Sequence, residues 1–438
     1  MAKSKAANNI WAIELGNEPD PPWNETREGA NENEWAQVFA NHWKSPLPIL
    51  AGGGYAIPFQ IEPGWPNLPY LVNEAYNKTV RAATKVYNGH LYAFSNASVN
   101  DLDVEMSHQR TAEDLNLLPI STARSVGRPY IIGETGFHGL DYEMDATFGS
   151  AIQTVDKTLR ALSIGTQRLF YHQGTINRAF FNWWRSDQLN ANFYGAYFGA
   201  LATADGDHIV ASDNGSDRYA QYIIYRKGKP SKLIFVNTDY YSGIGSRSTT
   251  SFTVTGLKSG VVKALRMTGP SSETLVPLKQ TNPDLEPSIA GQYFSNQNCD
   301  LKGAQRFETF NVKKGKLVTD LKASEALIVY LLTNTPLQKR FEKAQEDIFP
   351  AAYCVLQHST DTIYNFAWLK FQDEGRDNKD ADNKKTDNDK LTEKKKDEKK
   401  KHHQAILHLG NVIYRIHDHA SSGLEPMTKT RLGTVYRK

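Results

Sequence analysis

The first apolar run of the chain, Ile10-Trp11-Ala12-Ile13, gives way within a few residues to Asn17, Glu18 and Pro19. Apolar residues without alternation, then an abrupt polar end, are the pattern of a buried parallel strand, and Pro19 stops its continuation. Leu47–Gly52, His90–Phe94, Pro129–Gly133 and Gln167–Tyr171 repeat the pattern. Between them the apolar period becomes three and four. Glu34–Lys44 predicts a short helix with Trp35, Phe39 and Trp43 on one face, and Leu71–Tyr87 predicts a longer amphipathic one. Ala146–Ile164 is the clearest helix, with Phe148, Ile152, Val155, Leu159 and Leu162 in phase and Gly165 as C-cap. Asn192–Thr203 predicts a last helix packed on the sheet. Strand and helix alternating over residues 1–203 predict a βα barrel or an open α/β sheet.

From about Asp205 the texture changes. Ile209–Ala211, Tyr219–Tyr225, Lys232–Asn237, Ser251–Val254, Val261–Met267, Arg306–Val312 and Ala326–Leu332 are short β-type runs punctuated by Gly, Pro, Asn and Ser. With no long helix between them they predict an antiparallel β-sandwich at 204–335. Residues 336–438 read as a low-complexity tail. Its segment 372–403 is mixed charge with almost no apolar residue, cannot offset its ordering entropy, and is expected to be disordered. Ala405–Ile416 is a short apolar element with nothing evident to pack on.

Composition narrows the function classes. A chain of 438 residues can bury two or three cores. A net charge of +3 gives no ground for nucleic-acid binding. No apolar run reaches the roughly 18 residues of a membrane span, and the N-terminus lacks the apolar core of a signal peptide. Sequons at Asn24, Asn77, Asn96 and Asn214 point weakly toward a secreted ancestry. Cys299 and Cys354 fall in different segments, so no disulfide framework is readable. His402, His403, His408, His417 and His419 cluster in the charged tail, where solvation explains them better than a zinc site does.

The chemistry concentrates at two strand ends. Ile10–Asp20 delivers Glu18, and Pro129–Gly136 delivers Glu134. A lone strand-end glutamate is more often a cap or an ion-pair partner. Asn-Glu-Pro after an apolar strand, with a second strand-end glutamate three βα units of about 31 residues downstream, is more specific. Retaining glycoside hydrolysis needs such a pair, one acid/base carboxyl and one nucleophilic carboxylate roughly 5–5.5 Å apart. Glu18 fits the acid/base, with a raised pKa expected, and Glu134 the nucleophile; Asn17 is placed to bond a sugar 2-hydroxyl.

WAIELGNEPD and YIIGETGFHG resemble the acid/base and nucleophile motifs of the clan of retaining (β/α)8 hydrolases. Within that clan the chain from about Asn9 to Thr333 resembles glycoside hydrolase family 79, the β-glucuronidases and heparanase. The resemblance implies a retaining hydrolase of β-linked uronic acids that needs no cofactor, takes a carbohydrate partner, works outside the cell and carries a C-terminal β-sandwich. It assigns acid/base, nucleophile and 2-hydroxyl partner to Glu18, Glu134 and Asn17. A uronate also needs donors for its carboxylate. Tyr142 and the backbone around His138-Gly139-Leu140 are candidates, as are Tyr171 and His172, with Trp183-Trp184 as a stacking platform; core and loop roles compete for each. In this clan the acid/base glutamate ends strand four, so the chain is expected to supply a partial TIM barrel, strands 4 to 8. Its open edges offer a route to self-association. The third strand's end, Phe94–Ala97, lacks the Tyr or His expected near the nucleophile, with Tyr92 expected to point elsewhere. A non-catalytic carbohydrate-binding remnant, or another retaining β-glycosidase such as a glucanase or xylanase, is the alternative reading.

Overall fold

The computed structural model describes residues 11–19, 24–43, 48–58, 62–93, 101–173, 181–185 and 187–331, and the backbone of 435–437. The charged segment 372–403, the apolar segment 405–416, Cys354, Asn96 and the tail histidines lie outside the described residues, as does the chain from Phe94 to the end of the expected third strand.

Five strands, β1 (Ile13–Glu14), β2 (Leu50–Tyr55), β3 (Thr84–Leu91), β4 (Tyr130–Thr135) and β5 (Thr166–Tyr171), form one sheet in chain order. Every neighbouring pair is parallel. This is the sheet of a partial barrel. Leu50, Tyr87, Tyr130, Ile132 and Leu169 belong to the large core shared with the helices. Ala51, Val86 and Ile131, one residue out of phase, form a small separate cluster with Trp11, Ala12 and Phe170. The two faces of the sheet are thus both apolar, which is why its strands read as runs without alternation.

Three elements differ from the sequence reading. The helix expected over Leu71–Tyr87 is three pieces: α2 (Leu68–Tyr70) running into a π-turn at Leu71–Ala75, then α3 (Lys78–Ala83), then β3 from Thr84. Asn77 restarts the helix by accepting the amide of Val80 at 3.0 Å. The third strand therefore begins six residues before the predicted position and ends near His90 rather than starting there. The first helix, α1 (Glu25–His42), is longer than predicted and buries a different face. Trp35 is 60% exposed, whereas Glu28, Glu32 and Ala36 are buried. Glu32 explains the rotation, because its carboxylate accepts the Gly53 amide at 2.9 Å and the Tyr76 hydroxyl.

Between β3 and β4 lie α4 (Leu102–Glu105), α5 (His108–Asn116) and α6 (Ile120–Ser125), and after β4 come α7 (Tyr142–Asp145) and α8 (Phe148–Ser163). Phe148 to Leu162 of α8 are all buried. The next helix, α9 (Asn192–Thr203), is buried along its whole length and packs on α8 and on β-strand residues of the second domain. Phe294 inserts among Phe193, Tyr194 and Tyr197 with ring centroids 5.0 to 5.1 Å apart. Lys232 closes the end of α9 by donating to the carbonyls of Leu201, Ala202 and Ala204 at 2.6 to 3.1 Å.

All seven predicted β runs of the second domain are strands: β6 (His208–Ala211), β7 (Tyr219–Arg226), β8 (Lys229–Asn237), β9 (Thr249–Val254), β10 (Gly260–Thr268), β14 (Glu308–Val312) and β16 (Glu325–Tyr330). The short β11 (Ser288–Ile289), β12 (Tyr293–Phe294) and β13 (Leu301–Lys302) are additional, as are β15 (Leu317–Lys322) and β17 (Val435–Arg437). The larger sheet runs β11-β10-β16-β8-β7-β6, with β14 also on β10; the smaller runs β15-β9-β17. Residues 435–437, expected in the tail, thus pair antiparallel with β9. One face of the larger sheet, with Tyr222, Ile234, Val236 and Ile328, joins the core around α8 and α9. Its other face, with Leu233, Phe235, Leu327 and Val329, packs on Phe252, Val254, Leu317 and Leu321 of the smaller sheet.

Burial pushes the Glu32 carboxyl up to about 8, against the opposing hydrogen bonds from Tyr76 and Gly53. The unfolded chain releases this proton near the ordinary carboxylate range while the folded chain keeps it. Stability is therefore highest below that range and is lost as pH rises toward 8. Glu32→Gln keeps an acceptor oxygen without the titration. Melting curves are expected to place the variant above the native chain at pH 8, with the gap closing toward pH 4.

Candidate active site

The carboxyl ends of β1, β3 and β4 meet at one point. On β1, Ile13 pairs with Leu50 and faces the helices, so Glu14, paired with Ala51, faces the other way. On β3 the period of two puts Val86, Asn88 and His90 on that same face. The β4 register matches β3 from Tyr130 to Ile132, then slips by one, so that Glu134 rather than Gly133 pairs with His90. The bulge moves Glu134 from the helix-facing phase into the phase of His90. Gly133 makes it feasible, since a Cβ there would overlap the side-chain amide of Asn88.

Glu18 arrives on the loop after β1. Its φ is 50°, the left-handed region that a side chain rarely adopts, and its amide donates to the Gly54 carbonyl at 2.9 Å. Gly54 itself has φ 95°, and a Cβ there would lie 2.7 Å from Glu14 Oε1. The glycines that end β2 therefore shape the loop that carries Glu18.

The result is a pair of facing carboxylates with a histidine between them. A carboxylate oxygen of Glu18, one of Glu134 and a ring nitrogen of His90 all lie within 4.8 Å of one another. His90 is 1% exposed. Its Nδ1 is 2.9 Å from Glu18 Oε1 and its Nε2 is 3.6 Å from Glu14 Oε1. Asn88 donates to the other oxygen of Glu14. Tyr92 donates its hydroxyl to Glu134 Oε1 at 2.9 Å. The three atoms are close enough to share a cation, but hydrogen bonds already join Glu18 to His90 and Glu134 to Tyr92. That is acid–base wiring.

Burial alone would lower the pKa of His90. The carboxylate of Glu14 3.6 Å away and the hydrogen bond to Glu18, with the added field of Glu134, hold it up at about 9. The hydrogen bond from His90 in turn lowers Glu18, outweighing its partial burial, and the fields of His90 and His172 act in the same direction. The raised acid/base carboxyl expected from the sequence is not found; the proton rests on the imidazole instead. Burial and Glu134 raise the Tyr92 hydroxyl far above its usual range, so it stays a donor.

The other sequence candidates are placed as follows. Asn17 is exposed beside Glu18. His172 follows β5, its amide on the Thr135 carbonyl at 2.7 Å and its field felt at Glu18. Tyr142 opens α7, with the Arg185 guanidinium 4.6 Å above its ring. Tyr171 turns away from the pair: its hydroxyl meets Thr158 Oγ1 at 2.8 Å and the Thr154 carbonyl at 3.1 Å on α8. Trp183 packs on Tyr171 and Phe181, with ring centroids at 5.3 and 4.8 Å. The amides of His138 and Gly139, proposed from sequence as carboxylate donors, are both spent on buried Asp145 at 2.7 and 3.1 Å. The His138 ring is paired with buried Glu105 at 2.9 Å. His90 and Glu14 were missed from the sequence, and Tyr92 was judged to point the wrong way. All three follow from where β1 and β3 end.

Comparison with known proteins gives this geometry a context. Residues 221–328 match the glycosyl hydrolase family 79 C-terminal beta domain. The crystal structure of a 4-O-α-L-rhamnosyl-β-D-glucuronidase from Fusarium oxysporum 12S, in complex with Rha-GlcA, is similar at 29% identity and a TM-score of 0.66, over 73% of this chain and 70% of that one. Two more distant similarities are a family 44 xyloglucanase from Paenibacillus polymyxa (11% identity, TM-score 0.48, 76% of this chain and 68% of that one) and a family 30 subfamily 8 xylanase from Clostridium acetobutylicum (14%, 0.40, 73% and 65%). This chain therefore spans about two thirds of the length of these proteins. No curated protein matches the sequence. The matched β domain and the similarity to a glucuronidase mark the chain as a glycoside hydrolase. Residues 221–328 carry the C-terminal beta domain of glycoside hydrolase family 79, and the chain as a whole is similar to a glucuronidase.

The loop after Glu134 depends on Asp145. Asp145→Ala orphans the buried amides of His138 and Gly139 at a cost of about 1–3 kcal/mol each. Urea unfolding is expected to show a loss of about 3 kcal/mol with an unchanged slope.

Proposed function

We propose that this protein is a retaining hydrolase of β-linked glucuronic acid glycosides. The observation that carries the reading is the convergence of Glu18 and Glu134, with carboxylate oxygens within 4.8 Å. That spacing suits direct attack on the sugar and leaves no room for the intervening water that inversion needs. Glu134 is the nucleophile, fixed by the Tyr92 hydroxyl, and attacks the anomeric carbon. Glu18 protonates the departing oxygen and then takes a proton from the water that releases the sugar. Asn17, beside Glu18, bonds the 2-hydroxyl. The similar Fusarium structure, a glucuronidase, supports a uronic acid as the sugar. Tyr142 beneath Arg185, together with His172, supplies polar groups near the loop after the nucleophile for the uronate carboxylate.

The setting is extracellular, as the matched family 79 domain and the exposed sequons Asn24, Asn77 and Asn214 support. Among the described residues no helix is long and apolar enough to cross a membrane. The domains are the barrel portion at 1–203, the sandwich at 204–335 and the remainder at 336–438. β1 and β5 are the outer strands of the described parallel sheet, and self-association through these edges is part of the proposal.

Nitrophenol release from an aryl β-D-glucuronide tests the reading. Turnover is expected from the purified chain and a loss of about 10³-fold or more in Glu134→Gln, the scale of removing a nucleophile. Equal rates in the two proteins, or a preference for the aryl glucoside, would sink it. Sugar binding that persists in the variant with no turnover in either would favour a binding protein built on the same site.

A further inference from the structure

The reaction assigned above uses Glu18 and Glu134. It leaves unexplained why a third glutamate, Glu14, faces the same point from β1, and why a buried histidine separates it from Glu18.

We propose that Glu14 is a positioning residue for the acid/base glutamate, acting through His90: it orients the ring so that Nδ1 faces Glu18, and it stabilises the proton on the imidazole from which Glu18 is supplied. The inference rests on the assignment of Glu18 as acid/base.

The geometry carries the argument. His90 Nδ1 lies 2.9 Å from Glu18 Oε1 and Nε2 lies 3.6 Å from Glu14 Oε1, so the buried ring spans two carboxylates. A buried imidazole facing carboxylates on both nitrogens is held as the doubly protonated ring, with a donor at each end. Glu14 is fixed independently. Asn88 donates to its second oxygen, and strand pairing with Ala51 sets its direction. Glu14 does not reach the reacting atoms; it acts by holding the ring.

Among the described residues, charged groups face the ring from several elements. Glu14 faces it from β1, Glu18 from the loop after β1 and Glu134 from β4. His172, after β5, acts on Glu18. Glu32 of α1 feels the field of Glu14 and is neutral up to about pH 8. Together these keep the His90 proton to about pH 9 and lower Glu18.

The proton balance is simple. At rest the pair is imidazolium and carboxylate. The Nδ1 proton passes to Glu18, which delivers it to the glycosidic oxygen as that bond to the anomeric carbon breaks and the bond to Glu134 forms. His90 is then neutral and Glu18 again a carboxylate. In the second half, Glu18 takes a proton from the attacking water, and that proton returns to His90. The pair carries one proton at the start and one at the end.

A Glu18 carboxyl acting alone would lose its proton in the carboxylate range, and removing Glu14 would raise that limit by weakening the His90 charge. A shared proton is lost near the pH at which His90 titrates, and removing Glu14 lowers the limit. The two cases shift in opposite directions.

Two measurements on the full chain, native, Glu14→Gln and His90→Gln, test this. In pH–rate profiles, the alkaline limb of kcat/KM for a phenyl β-D-glucuronide, whose leaving group needs an acid, is expected to move down by about one pH unit or more in Glu14→Gln. The rate at neutral pH should fall about tenfold, while a dinitrophenyl glucuronide, which needs no acid, should change less than about twofold. The second measurement titrates histidine rings by NMR in labelled protein, with His90→Gln identifying the His90 signal. His90 is expected to titrate near pH 9 in the native chain. In Glu14→Gln it is expected to titrate at least about one pH unit lower. An unmoved or raised His90 titration overturns the proposal, as does an equal loss with both leaving groups. If the native chain is inactive but His90 shifts as expected, the link from Glu14 to His90 stands and the hydrolase reading fails.

Discussion

Three glutamates at the mouth of one sheet converge on a single buried histidine. Two unit charges no more than 4.8 Å apart interact by at least about 3 kcal/mol at an effective dielectric of 20, so the charge of the ring weighs heavily on Glu18. His90 is the side chain that links them. Its burial would ordinarily discharge it, and only the surrounding carboxylates keep it charged, so ring and glutamates depend on each other. Asn88, Tyr92 and the amide of Glu18 on Gly54 then fix each carboxylate separately.

The same interdependence joins the two domains. His108, at the start of α5, bonds Asp156 of α8 at 2.8 Å and Asp213 of the β domain at 2.8 Å. Tyr222 of β7 donates to Asp156 at 2.6 Å, and Arg160 of α8 pairs with Asp213 at 3.3 Å. Burial works against the His108 charge, yet the two aspartates hold it up at about 10. Such a network is costly to leave half made, so it selects one docking of barrel portion on β domain. The larger sheet is consequently buried on both faces. That accounts for the unbroken apolar runs of β8 and β16, which a one-sided sandwich would have shown as alternation.

The order of the five parallel strands and the run of β strands after Asp205 were legible in the sequence because both rest on apolar periodicity. α8 and α9 were legible to within two residues for the same reason. What failed were positions governed by polar groups. The α1 face was read from Trp35, Phe39 and Trp43, because a glutamate is not expected in a core; Glu32 is there to bond Gly53 and Tyr76. β3 was displaced because the helical reading of Leu71–Tyr87 absorbed its first residues. In the sheet Gly89 has no room for a Cβ beside Pro58 and Tyr130, and Asn88 is spent on Glu14. Starting β3 six residues late, at His90 instead of Thr84, hid the role of His90 and turned Tyr92 the wrong way. β15 was missed although Leu317, Thr319 and Leu321 alternate cleanly inward.

The site shows why its motif was legible while its proton chemistry was not. Glu18 and Glu134 are marked in the sequence by local events: an apolar strand that stops, a proline, a glycine before the glutamate. Each event has a local structural cause, such as the Gly133 bulge that turns Glu134 toward His90. The ionisation of Glu18 has no local cause. It is set by a ring 72 positions away in the chain, held by Glu14, which lies four positions before Glu18 and opposite the ring. A motif can mark an acid/base residue, but only the contacts across strands decide where its proton rests. Here they move it from the carboxyl to the imidazole, and the expectation of a raised carboxyl pKa fails for that reason.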